Sequence, residues 1–399
     1  MPKRLKVVVA GAGVGGLTAA FCLQRAGLDV EVFERAPALA EVGAGVQLSP
    51  NAMRVLGALG LTPALEAVGF RPEMLELRLG RSGGQVFSVP IRDEAVRRYV
   101  APYLNLHRAD LVDVLAQALA ERAPGALRLG AAVSGYTRRG AGVEVWLDDG
   151  RAVAADVLVG ADGVRSRVRE AMLGPDAPRF TGHVAWRAMV PADERLRALV
   201  PPTACVWTGP GRHAVTYYVR GGELINFVGL VEQAAWVEES WTTPGDPSAL
   251  AAEFAGWAEP VRAVLAAVEA CSRWGLFDRA STPRWTDGPV ALLGDACHPM
   301  PPFVAQGAAM AIEDGWALAH ALASAADPAA GLRAYEAERR PRATRVRALA
   351  RANARTFHHR SPLAQFAAYA PMWAAVKISP ALFHARQQWL YGYDPTRPG

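Results

Sequence analysis

The chain begins with an unbroken apolar run, Val7–Ala10. Such a run reads as a strand buried on both faces of a parallel sheet. A cluster of glycines follows, then apolar positions at Leu17, Ala20, Phe21 and Leu23, the spacing of one helix face. Gly27 closes that helix and "DVEVFER" (29–35) reads as a second strand, which completes a β–α–β unit. Residues 45–130 alternate helical patterns ("SPNAMRVLGALG", "RADLVDVLAQALAERAPG") with short strands such as "EMLELRLG". Strands return over 126–160. From about 180 to 285 the pattern becomes two-fold: "HVAWRAMV", "HAVTYYVR" and "ELINFVGLV" alternate like an antiparallel sheet with one buried face, interrupted by a helix at about 248–270. "GPVALLGDA" restores a buried strand, and the remainder is mostly helical.

The pattern predicts an α/β protein whose Rossmann-like nucleotide-binding domain is interrupted by a second domain. The first part covers 1–178, an antiparallel substrate-binding domain 179–285, the completion 286–355, and a helical C-terminal region 356–399.

Composition narrows the classes of function. The net charge of +5 rests almost wholly on arginine, with lysine only at Lys3, Lys6 and Lys377. The densest basic stretch, "ERRPRATRVRALARANAR" (338–355), places its arginines around a helix without interleaved aromatics, so it reads as a solvated face and no nucleic-acid partner is expected. Cys22, Cys205, Cys271 and Cys297 form no CxxC pair and no metal-ligand spacing, which predicts no metal and a reducing, cytoplasmic setting. The apolar start runs straight into glycines rather than into a signal-peptide cleavage site, and no apolar run approaches the roughly 18 residues of a membrane span. Residues 356–391, apolar and aromatic between prolines, are expected to pack over the substrate domain or to form a dimer face, leaving monomer and homodimer both open.

Gly11-Ala12-Gly13-Val14-Gly15-Gly16 matches G-x-G-x-x-G in the strand–turn–helix setting the motif requires. Gly11 permits the tight turn, Gly13 lets the backbone approach a pyrophosphate, and Gly16 lets the helix pack close to the strand. The helix N-terminus then offers unpaired N–H groups to the phosphates. Glu34, at the end of the second strand, is placed to accept from an adenosine ribose, which suits FAD or NAD better than NADP.

Two later segments choose between those cofactors. "DVLVGADGVRSRVR" (156–169) and "GDACHPMPPFVAQGAAMAIEDG" (294–315) resemble, in order and separation, the D-G and G-D…P…GQG…AIED segments of the single-component FAD-dependent aromatic hydroxylases. That resemblance covers nearly the whole chain. It implies a tightly but non-covalently bound FAD, with Asp295 on the ribitol and Gly307, Ala308 and Ala309 opening a helix toward the flavin. It implies further FAD contacts at Val14, Gly15, Arg35, Val46, Gln47, Arg108, Val133 and Asp162. On physical grounds the helix would aim its positive dipole end at the charge of a reduced flavin. His298 reads as orienting the turn before Pro299, and Cys297 as a small core residue.

Only one dinucleotide motif is present, so NADH or NADPH is expected as a transient reductant. The resemblance then implies hydroxylation of a small hydroxylated aromatic or heteroaromatic carboxylate with O₂, through a flavin C4a-hydroperoxide. An FAD oxidoreductase or epoxidase acting on a larger natural product is the alternative. Activation of a phenol calls for a base and an orienting hydroxyl. His213 and Tyr217, four apart on one strand, share a face, with Val215 between them. In the hydroxylases of 3-hydroxybenzoate and 6-hydroxynicotinate, which with salicylate hydroxylase carry the most similar motifs, a His and a Tyr with this spacing face the substrate. Gln47, Cys205, Trp207 and Phe303 are the further pocket candidates. Two positions depart from the pattern: Ala305 replaces the first glycine of G-Q-G, as it also does in the 6-hydroxynicotinate enzymes, and Phe303 stands where those enzymes tend to carry a histidine.

Overall fold

The computed structural model describes residues 4–39, 45–236, 243–279 and 282–397. Its first sheet has six strands in the order Thr286–Asp287, Val290–Leu292, Val157–Gly160, Lys6–Ala10, Asp29–Glu34, Leu127–Leu129. All neighbours run parallel except the Thr286–Asp287 edge. Val7, Val8 and Val9 have no exposed surface, which explains their unbroken apolar run. A small antiparallel sheet (Ala152–Ala155, Gly142–Leu147, Val133–Arg139) stands beside it.

The second large sheet has eight strands and carries the two-fold patterns: Thr243–Gly245, Cys271–Asp278, Arg179–Pro191, Leu224–Glu232, Arg212–Val219, Ala204–Gly209, Met74–Leu79, Gln85–Pro90. Its last two strands come from the early part of the chain, and Met74–Leu79 joins Ala204–Gly209 in parallel. One face of this sheet is covered by short helices Glu194–Leu199, Pro247–Glu253 and Glu259–Ala266, around Trp186, Trp207, Phe227 and Phe254. The other face looks toward the first domain. The helix expected at about 248–270 is two helices followed by a strand.

Two helices position the nucleotide-binding elements. Val14–Arg25 and Gly307–Ser324 cross closely because both are lined with small residues: a Cβ at Gly315 would stand 2.8 Å from the Ala19 nitrogen. A 30-residue helix, Pro328–Phe357, then crosses back, its start capped by Asp327 accepting from the Ala330 N–H at 2.9 Å. Two more helices, Pro362–Ile378 and Pro380–Tyr391, end the chain. Tyr369 of the first packs with Leu77 and Val86, so this region does cover an edge of the large sheet. Leu363, Phe366, Trp373 and Ile378 remain exposed. No helix among the described residues is long and apolar enough to cross a membrane.

Candidate active site

The glycine loop separates its glycines by task. Gly11 has φ +96° and a Cβ there would meet the Ala161 carbonyl oxygen at 2.6 Å; one at Gly16 would meet the Gly11 oxygen at 2.0 Å. Both are fixed by protein packing. Gly13 caps the helix and a Cβ on it would have nothing within 4 Å, so this is where the loop is open to a ligand. Gly15 packs on Leu293. Glu34 accepts from the Ala12 N–H (2.8 Å) and the Ala36 N–H (2.9 Å), holding the loop from beneath. Arg35 beside it is exposed, and Val133 is buried in the small sheet.

Asp162 Oδ2 accepts from the N–H groups of Arg167 (2.7 Å) and Val168 (3.2 Å) in the first turn of helix Arg167–Leu173, which Ser166 caps, and burial raises the Asp162 carboxyl above the usual range. Asp295 follows the strand Val290–Leu292. Its residue surface is open, yet enough protein encloses it for burial to raise its carboxyl, against the opposing charges of His298 and Arg108. A side chain in both conditions lines a deep cleft. Arg108, the first residue of helix Arg108–Arg122, is therefore brought toward Asp295 although far from it in sequence.

The mouth of helix Gly307–Ser324 opens on the same cleft. Gly307 has nothing within 4 Å of a Cβ position, Ala308 is half-buried and Ala309 buried. Gln306 caps the helix from a buried position, donating to Ser49 Oγ (2.8 Å) and accepting from Asn51 Nδ2 (3.0 Å). Ala305, where the related motif has glycine, sits at φ +50°. These features fit FAD: an open glycine turn at one helix mouth, an acid in the cleft, and a second open helix mouth.

The strand Gly45–Leu48 ties this cleft to the large sheet; residues 40–44 before it lie outside the described residues. Gly45 donates to Asn226 Oδ1 (2.9 Å), and a Cβ on Gly45 would stand 2.5 Å from Tyr217 Oη. Val46 and Gln47 are half-buried, and Gln47 donates to Asn105 Oδ1 at 3.3 Å.

His213 and Tyr217 share one face of the strand Arg212–Val219, about 13 Å apart by strand geometry. The register adds Leu230, Val228 and Asn226 from one neighbouring strand and Ala185, Arg187 and Met189 from the next. Arg187 stacks 4.4 Å from the Trp274 ring. Burial raises the Tyr217 phenol, and the nearby Arg187 charge opposes it. Phe303 is buried against His213, ring centroids 5.3 Å apart. His213 is only 1 % exposed, and burial, then His358 and His183, pushes it well below an ordinary imidazole.

Cys205 and Trp207 do not join this pocket. Cys205 pairs with Thr216 and Trp207 with Ala214, so both point to the opposite face and belong to the core behind the sheet. Trp207 donates to Thr216 Oγ1 at 3.0 Å, and burial pushes the Cys205 thiol well up. Arg187, Met189, Val228 and Asn226 are the face residues that the strand pattern of one segment alone did not single out.

The arginine stretch also departs from its expected solvated face. Arg339 is fully buried, bound to Asp314 (2.8 Å) and Glu313 (2.6 Å), while Arg342 grips Glu313 at 2.7 Å. Glu313 accepts from Asn51 at 2.6 Å, which carries the network to Gln306. At its other end His298 Nε2 lies 2.5 Å from Asp314 Oδ2. Burial alone would lower His298; the Cys297 sulfur and the Asp314 carboxylate outweigh it and hold it well above its ordinary value. The Cys297 thiol is itself pushed up by burial, so Asp314 supplies the charge. His298 and Cys297 thus sit behind the helix mouth in a structural setting.

The family model described as "FAD binding domain" matches residues 4–350. The chain is 37 % identical over 397 residues to a 3-amino-4-hydroxybenzoate 2-monooxygenase of Streptomyces platensis, covering 99 % of this chain and 98 % of that one. It is 37 % identical to a 6-hydroxynicotinate 3-monooxygenase of Pseudomonas fluorescens, covering 88 % and 92 %. The structure of Klebsiella pneumoniae HpxO complexed with FAD and uric acid superposes with a TM-score of 0.84 at 29 % identity, covering 97 % of each chain.

Proposed function

This chain belongs to the FAD-binding-domain family of flavoprotein aromatic hydroxylases, and on that premise we propose that it hydroxylates a small phenol or hydroxypyridine bearing a carboxylate. FAD, when bound, supplies reduction by NAD(P)H and activation of O₂. The chain's own residues do the rest. Gly13, Glu34, Asp162, Asp295 and Gly307–Ala309 hold the cofactor, with Arg35, Val46, Arg108 and Val133 around it. The face of the large sheet holds the aromatic ring. His213 takes the proton of the ring hydroxyl, Tyr217 orients the ring from the far side of Val215, and Arg187 receives the carboxylate. Phe303 and Val228 supply apolar walls that exclude water.

The observation that carries this reading is the convergence on one sheet face of a neutral buried imidazole, a phenol and a guanidinium. Purified holoprotein should oxidise NADH or NADPH faster with 6-hydroxynicotinate, 3-hydroxybenzoate or 3-amino-4-hydroxybenzoate present. The product should gain one oxygen atom from ¹⁸O₂. Turnover without ¹⁸O in the product would sink the hydroxylase reading.

A further inference from the structure

His213 is not an isolated base. Its Nδ1 lies 2.7 Å from His358 Nε2, and His358 Nδ1 lies 3.2 Å from Glu232 Oε1. Glu232 also accepts from Arg360 at 2.5 Å and is half-exposed, so the chain of contacts runs from the sheet face to solvent. The hairpin turn holds these parts together through the backbone. The Gly211 N–H donates to the His358 carbonyl (3.2 Å), and the Glu232 N–H donates to the Gly211 carbonyl (2.9 Å).

Resting on the reading of His213 as the base, we infer that His358 and Glu232 are positioning residues that set the His213 tautomer and conduct its proton to solvent. A carboxylate only accepts, so His358 donates from Nδ1 to Glu232 and keeps Nε2 as an acceptor. His213 must then donate from Nδ1, which leaves Nε2 as the basic nitrogen. Burial, with the charge of His183 adding to it, pushes His358 down to about 4, so this polarity holds through neutral pH. When the ring hydroxyl gives its proton to His213 Nε2, the Nδ1 proton passes to His358 Nε2. The His358 Nδ1 proton passes to Glu232 and from there to water. Each ring ends with the proton count it began with, its two nitrogens exchanged, and rotation or the reverse shift restores the starting tautomer. Phe303 and Phe357 also pack against His213, and the one further titratable group acting on it is His183, whose ring packs on His358 at 5.2 Å.

The test reads tautomers directly, in FAD-loaded full-length protein with ¹⁵N-labelled histidine at pH 7. Signals lost in His213→Asn identify His213, which should show a protonated Nδ1 and a bare Nε2. His358→Phe removes the acceptor and should mix the two tautomers. His358→Gln keeps an acceptor but conducts no proton, and should preserve the tautomer. Glu232→Gln, at a half-exposed site, serves if the His358 variants fold poorly, and should weaken the preference. With whichever of the three aromatic acids is turned over, kcat should fall about 10²-fold in His358→Phe. The drop should shrink as pH rises and the aromatic ionises without help. Unchanged His213 signals in both His358→Phe and Glu232→Gln would overturn the inference while leaving the hydroxylase reading intact. Ordered tautomers that respond to these variants, without hydroxylation of any of the three acids, would overturn the functional reading and leave the positioning roles standing.

Discussion

Two buried histidines lie on either side of one loop, and their surroundings give them opposite character. His298 touches Asp314, which is braced by Arg339, and Arg339 in turn binds Glu313, which Arg342 also grips; the imidazole is held charged. His213 touches a second neutral imidazole and aromatic rings, and is held uncharged. Both are almost fully buried. The partner, rather than the residue type, decides which is a rivet and which can accept a proton. A charged histidine locked to a carboxylate has no proton-accepting capacity at neutral pH, whereas a neutral one with an acceptor behind it has.

The largest effect should come from breaking the charged cluster. Arg339→Leu leaves Glu313 and Asp314 with one cation fewer in a site without solvent. About 3–5 kcal/mol of stability should be lost, read from urea unfolding of the holoprotein. A loss under about 1 kcal/mol would mean that the cluster reorganises around Arg342 and is no rivet. Breaking the neutral side should do the reverse. His213→Ala should lower turnover by 10²-fold or more, about 3 kcal/mol in the barrier, while FAD stays bound. Turnover equal to the parent's would discard His213 as the base.

Acid should separate the two clusters more gently. His358 has a folded value of about 4, below its unfolded 6.5, so the native chain binds fewer protons between those values. Its contribution is therefore complete above pH 6.5 and is lost as pH falls toward 4. His298 works in the opposite sense: its raised value adds stability below 6.5 that fades as pH climbs through the folded value. Urea midpoints measured from pH 7.5 to 4.5 should fall less steeply in His358→Phe than in the parent. An identical acid slope in the two proteins would contradict the neutral assignment.

How legible these features were in the sequence follows from how local they are. The glycine loop, its strand and Glu34 lie within 30 residues, and each glycine's task follows from one turn. That His213 and Tyr217 share a face was legible because a single strand has a two-residue period. Cys205 and Trp207 were misplaced because the turn Pro210–Gly211 pairs odd-numbered residues of one strand with even-numbered residues of the next, as Trp207 with Ala214. No single-strand pattern carries that parity change. Arg339 looks solvated in a helical run of arginines and is buried only because helix Gly307–Ser324 presents Glu313 and Asp314 to it. His358 lies 145 residues from His213 in sequence, and only the packing of the long helix's end on the hairpin brings them together.

The smallest expected effect lies in the loop between the clusters. Phe303 touches His213, Gln306 joins the charged network, and Ala305 between them is held at φ +50°. An L-residue pays roughly 1–2 kcal/mol for that conformation, and glycine does not. Glycine also gains freedom in the unfolded chain, which offsets up to about 1 kcal/mol. Ala305→Gly should therefore stabilise the protein by about 0.5–1 kcal/mol, measured as a higher urea midpoint at an unchanged slope. Because Gln306 makes the loop's link to the charged network and Phe303 its contact with His213, neither the His213 tautomer nor the Arg339 cluster should respond. Should Ala305→Gly lower stability instead, the alanine methyl must be packing between the two clusters, and they would then be one coupled unit rather than two independent ones.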